Sequence, residues 1–170
     1  MAFTYSKLAE VTVGSGGAST IDFSNIPQNY TDLVLKLSIR SSRVATWDNT
    51  QIKLNGSTSN MTNRYLRGDG ANAASGTLTS LYVGDIPASS ATVSTFANQE
   101  VYIPNYTGSS NKSVSIDSVS ENNATTAYAY LSANLWSVVT AISQISVFSG
   151  NGDNFLQYST ATLYGVKAEV

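Results

Sequence analysis

Apolar and polar residues alternate along much of this chain. In residues 32–40, Leu33, Leu35, Leu37 and Ile39 occupy one parity, while Asp32, Lys36 and Arg40 occupy the other. A period of two places the two sets on opposite faces of a strand, whereas a helix would scatter the four apolar side chains around its circumference. The pattern predicts a central strand with the leucines inward and the charges outward. Val101 and Ile103 alternate in the same way with Glu100 and Tyr102. Val114 and Ile116 alternate with Ser113, Ser115 and Asp117, and Ala161 and Leu163 with Thr160, Thr162 and Tyr164.

Turn residues punctuate these runs at short intervals. Gly14, Gly16 and Gly17 separate residues 8–13 from residues 20–23, which reads as a hairpin because glycine tolerates positive φ. Asn55-Gly56 fits a type I′ turn, in which both central residues need positive φ. Pro27 and Asn29 precede the strong strand, and residues 84–87, 106–110 and 150–154 read as further turns or loops. The Ser/Gly-rich residues 68–76 read as a long surface loop. Leu135, Val138, Val139, Ile142 and Ile145 fit a helical stripe as well as a strand; their β-branched content and the following Ser146-Val147-Phe148-Ser149 favour a strand. About nine or ten short strands of this spacing predict an all-β, antiparallel, jelly-roll-like β-sandwich. With no internal repeat and no linker, residues 1–170 read as one domain.

Composition sharpens the picture. Charged residues make up only 12 % of the chain, about half the ordinary share, and Ser, Thr, Asn and Gly fill the gap. The net charge of −2 and the scattered cations, of which Lys36, Arg40 and Arg43 are the closest grouping, argue against nucleic acid or an anionic membrane as partner. No segment approaches the roughly 20 apolar residues of a membrane helix. The N-terminus, Met1 to Lys7, lacks the apolar stretch of a signal peptide, so the expected place of synthesis is a cytosol.

Histidine and cysteine are absent. Their absence excludes Ser–His and Cys–His nucleophile pairs, Cys-ligated metals and the commonest metal ligand. A carboxylate pair is the remaining route to hydrolysis. Its candidates, Asp48, Asp69, Asp85, Glu100, Asp117, Glu121 and Asp153, sit beside turn residues or on outward faces and read as solvated surface groups. Neither catalysis nor a cofactor is expected. Gly14 to Gly17 lacks the following helix of a phosphate loop, and residues 150–154 lack the terminal Glu of a calcium loop. Arg67-Gly68-Asp69 spells an integrin-type tripeptide within an ordinary turn sequence. Triplets such as Asn55-Gly56-Ser57 follow from the Ser/Thr-rich composition. Tyr128, Tyr130 and Trp136 could form an aromatic platform for a sugar, against the alternative of core or subunit interface.

Two segments carry a resemblance. The first runs from Tyr5-Ser6-Lys7-Leu8-Ala9-Glu10-Val11-Thr12-Val13 through the glycines to Ile21-Asp22-Phe23 and Ile26-Pro27-Gln28-Asn29-Tyr30-Thr31-Asp32-Leu33-Val34-Leu35. The second is Phe155-Leu156-Gln157-Tyr158-Ser159-Thr160-Ala161-Thr162-Leu163-Tyr164-Gly165-Val166. Together they resemble the paired first and last strands of small β-sandwich virion proteins of tailed double-stranded DNA phages. The resemblance covers about a third of the chain and leaves residues 43–149 unmatched. It implies a particle component without catalytic residues, similar to capsid decoration (cement) proteins. It also implies the phage major capsid protein as partner, self-association as a homotrimer, and location in the virion. The alternative it leaves open is a tail-fibre, tail-tip or baseplate module that binds a host receptor or surface glycan. For that reading the Tyr-rich content and a loop over residues 64–76 are the best support.

Overall fold

The computed structural model describes residues 3–123 and 127–168, so the signal-peptide reading falls partly, at Met1 and Ala2, outside the described residues. Those residues form twelve β-strands and no helix. In chain order they are β1 (Phe3–Thr12), β2 (Thr20–Phe23), β3 (Asp32–Ile39), β4 (Trp47–Leu54), β5 (Met61–Gly68) and β6 (Ala73–Leu78). They continue with β7 (Leu81–Pro87), β8 (Ala97–Ile103), β9 (Lys112–Ser120), β10 (Tyr128–Trp136), β11 (Ile145–Ser149) and β12 (Thr160–Ala168).

All pairings are antiparallel, in an eight-stranded sheet ordered β1-β12-β3-β8-β9-β10-β5-β6 and a four-stranded sheet ordered β2-β11-β4-β7. The pairing is nested: β1 with β12, β2 with β11, β3 with β8, and β4 with β7. Such nesting is a long antiparallel ribbon rolled into two facing sheets, the jelly-roll arrangement. Two hairpins are inserted into it. β5–β6 follows β4, β9–β10 follows β8, and both extend the large sheet beyond β8.

The core lies between the sheets. Leu33, Leu35, Leu37 and Ile39 of β3 pack there with Val101, Ile103, Val114 and Ile116 from the large sheet. Ile21, Ile52, Leu54, Ile86 and Val147 face them from the small one. β9 alternates strictly between buried and exposed residues, as its sequence predicts.

Several expectations need correction. Asp32 and Arg40, placed outward by parity, are buried because each, at one end of β3, anchors neighbouring chain by hydrogen bonds. Asp32 accepts hydrogen bonds from the Tyr102 hydroxyl (2.8 Å) and the Asn105 amide (2.9 Å). The Arg40 guanidinium donates to the carbonyls of Ser89, Ala91, Thr92 and Thr95, tying down the segment between β7 and β8. The glycines after β1 do not close a hairpin: β1 and β2 belong to different sheets, so the loop crosses the sandwich. Asn55 and Gly56 do take positive φ (50° and 76°) and close a two-residue turn between Leu54 and Ser57, but that turn also hands the chain from one sheet to the other.

Residues 68–76 are not a long loop; a tight turn after Gly68 leads directly into β6. Residues 84–87 are the end of β7, not a turn. These two strands raise the count above the expected nine or ten. The stretch from Leu135 to Ile145 is neither one strand nor a helix: β10 ends at Trp136, an irregular segment follows, and β11 begins at Ile145.

Candidate functional site

The inserted hairpins carry the most unusual chemistry of the molecule. β5 and β10 pair with Arg67 opposite Tyr130, so their inward faces bring Tyr65, Arg67, Tyr128 and Tyr130 together. Beneath them β7 supplies Tyr82 and Asp85. Tyr130 lies at the centre, with ring centroids 5.7 Å from Tyr65, 5.6 Å from Tyr82 and 6.3 Å from Tyr128. Trp47, at the start of β4, meets Tyr128 edge-on at 6.1 Å. Two guanidiniums flank the rings: Arg67 over Tyr128 at 5.4 Å and Arg43 over Trp47 at 5.5 Å. Trp47 remains 41 % exposed and forms the rim of the cluster.

Asp85 sits under the rings and accepts hydrogen bonds from the hydroxyls of Tyr82 and of Tyr130, the latter at 2.7 Å. Burial pushes the Asp85 carboxyl above its ordinary pKa, although both tyrosine hydroxyls pull it back. Burial likewise raises Tyr82, and takes Tyr130 up to about 12. The Tyr130 hydroxyl raises the Arg67 guanidinium above its ordinary pKa against the desolvation that lowers it, and the nearby Asp85 carboxyl acts in the same direction as the hydroxyl. Tyr82, Tyr130 and Asp85 thus form a buried hydrogen-bonded group at β7, the edge of the small sheet, with Arg67 beside it.

Asp48 is also buried, with its oxygens accepting from the Asn49 amide (2.7 Å), the Asn151 side chain (2.6 Å) and the Ser149 hydroxyl (2.7 Å). The reading of Asp48 and Asp85 as solvated surface carboxylates is therefore wrong. Their parity within β4 and β7 turns them inward, and internal donors satisfy them. An acid/base pair has to reach a glycosidic oxygen, and these two are sealed at 0 % and 2 % exposure. Among the described residues no group of three or more acidic side chains could hold a metal ion.

Tyr128 and Tyr130 share a face as the alternation predicts, but Trp136 does not join them. Six residues along a strand are about 20 Å, and Trp136 is sunk in the core at the far end of β10. Trp47 takes the place expected of it. Arg67 folds onto Tyr128, while Asp69 turns away and accepts from the Ala71 and Asn72 amides (3.1 and 2.7 Å), which hold its carboxyl below the usual range. The integrin-type tripeptide is thus divided between a ring stack and a turn.

The outward face of the same strands is different. Leu66 of β5 stands directly opposite Leu131 of β10, and Ala129 opposite Val119 of β9. Leu66 is 62 % exposed and Leu131 59 %, and Val119 and Leu135 are exposed beside them. Leu66, Leu131 and Val119, with Ala73, Ser75, Asp117 and Ala129, line a groove of about 740 Å³. An exposed apolar stripe of this kind is a candidate interaction surface.

No family model and no curated protein matches the chain. Among solved structures, the galectin LEC-6 of Caenorhabditis elegans is similar at a TM-score of 0.36 and 6 % identity, over 94 % of this chain and 96 % of that one. A fructofuranosidase of Schwanniomyces occidentalis is similar at a TM-score of 0.25 and 7 % identity, over 98 % of this chain and 33 % of that one. Likeness of this degree says nothing about ligand or activity.

Proposed function

We propose that the protein is a non-catalytic accessory component of a tailed-phage particle, a decoration protein that braces the capsid shell. The observation that carries this reading is the exposed apolar stripe of Leu66, Leu131 and Val119 on the inserted hairpins. Those hairpins lie outside the nested strands of the jelly roll, so a stripe on them adds little to the core and suits an external contact. The end-strand resemblance supports the particle assignment: its two segments include β1 and β12, which pair along the edge of the large sheet. Low charge favours dense, repeated packing. A ligand that binds only the assembled shell stabilises that shell by mass action, without any reaction.

Particles lacking the protein should form, yet release DNA at lower temperature or under osmotic stress, and added purified protein should restore their resistance. Adsorption to host cells should be unchanged.

A second reading has its own observation. Trp47 and Tyr128, flanked by Arg43 and Arg67, form a partly exposed aromatic and cationic rim of the sort that receives a host-surface glycan. A tail module of that type predicts the reverse phenotype, normal shell stability with impaired adsorption. Copy number in purified particles also separates the two, hundreds for a shell component and at most a few dozen for a tail module.

A further inference from the structure

A sheet edge presents unpaired N–H and C=O groups, and proteins guard such edges with charge, proline, bulges, shortness or cover. The two sheets of this molecule have four edges, and three carry such devices. β1 holds a bulge at Leu8 and the Lys7–Glu10 ion pair at 2.7 Å. β2 has only four residues, with Asp22 exposed among them. β7 holds a bulge at Val83 and ends in Pro87, and its residues are largely buried against the large sheet.

The fourth edge, β6, has none. Its six residues, Ala73-Ala74-Ser75-Gly76-Thr77-Leu78, include no charge and no proline, and its register with β5 runs without a shift. Among the described residues β6 pairs only with β5, and most of it is exposed. On its inward face Tyr65 lies across Gly76, where a Cβ would stand 2.6 Å from the tyrosine oxygen. This edge is open.

We infer that β6 is the contact strand between two copies of this chain, pairing antiparallel with the β6 of a second copy about a twofold axis. A second copy fits because the strand is complementary to itself. Antiparallel self-pairing sets each residue against a small or neutral one, so no like charges meet, and Ala, Ser and Gly allow close approach. The β1 edge cannot serve as the partner, since its bulge and ion pair disturb the ladder. An isologous contact of this kind joins the large sheets of two molecules into one continuous sheet. It does not depend on the proposed function. It also differs from the threefold association implied by the resemblance, because the bond it predicts joins two chains and not three.

The absence of cysteine gives a clean test. Single variants Ala74→Cys, Ser75→Cys and Thr77→Cys, and the double variant Ala74→Cys/Thr77→Cys whose two cysteines face each other between copies when all six residues overlap, are made in the full chain, oxidised mildly and run without reductant. At least one should form a covalent pair in high yield, and the β1 control Ser6→Cys should form none. Sedimentation of the wild type should report self-association that Ser75→Lys weakens at least tenfold, with an unchanged circular dichroism spectrum. A wild type that stays monomeric up to roughly 1 mM, the weak limit of specific association, overturns the inference. So does self-association that Ser75→Lys leaves intact, or a β6 series that crosslinks no better than Ser6→Cys.

Discussion

Leu35 is 1 % exposed in the middle of β3, with Leu163 of β12 on one side and Val101 of β8 on the other. Truncation there leaves a cavity that the rigid sheets cannot collapse around, so Leu35→Ala should cost about 2–5 kcal/mol in urea unfolding. Asp85 makes a different kind of prediction. Its folded pKa lies above the ordinary carboxyl value because of burial. Between those two values the folded chain keeps a proton that the unfolded chain releases, so this group's contribution to stability falls as pH rises. Asp85→Asn keeps the shape and removes the titration. Relative to the variant, the wild type should gain stability as pH is lowered from 7 toward the ordinary carboxyl range. Parallel urea midpoints for the two proteins across that range would show that Asp85 does not titrate as its burial implies.

At the scale of elements, the strands with one apolar face were legible from alternation, and β3, β8, β9 and β12 lie where it puts them. Strands without that contrast were not. β6 lacks a large apolar inward side chain except Leu78, because Tyr65 from the neighbouring strand fills the space over Gly76. β7 is buried on both faces, so it has no alternation to read, and its glycine suggests a turn where there is a close approach. A Cβ at Gly84 would stand 2.2 Å from the Ser118 hydroxyl and 2.7 Å from the Ser118 Cβ across the interior. Gly84→Ala should therefore destabilise by roughly 1–3 kcal/mol through overpacking. Ser118→Gly in the same molecule should recover part of that loss in a double-mutant cycle. Additive single effects would place the strain in the Gly84 backbone (φ 152°) instead of in the contact. The candidate site was half legible for a related reason. Alternation unites Tyr128 with Tyr130, but only the fold brings Trp47, Tyr65 and Tyr82 to them from three other strands.

For the whole molecule, the division between jelly roll and inserted hairpins separates most of the core from the exposed apolar stripe. The nested strands hold most of the core cluster, whereas the outward side chains of β5, β9 and β10 touch little within the chain. Leu66 and Leu131 offer the sharpest test of that division, since they face each other across the ladder with most of their surface in water. Leu66→Ser with Leu131→Ser removes apolar area that folding does not bury, so unfolding should shift by no more than about 0.5 kcal/mol per site. If the stripe seats the protein on a shell, the same pair removes area that the contact does bury, at about 25 cal/mol per Å². Repeated over every bound copy, that loss should leave the double variant folded yet unable to restore heat resistance to depleted particles. The Trp47→Ala variant, altered at the aromatic rim alone, should restore it fully. A Leu66/Leu131 variant that protects particles as well as the wild type would remove the stripe from the contact, and a Trp47→Ala variant that lowers adsorption would move the binding surface to the other face of the same hairpins.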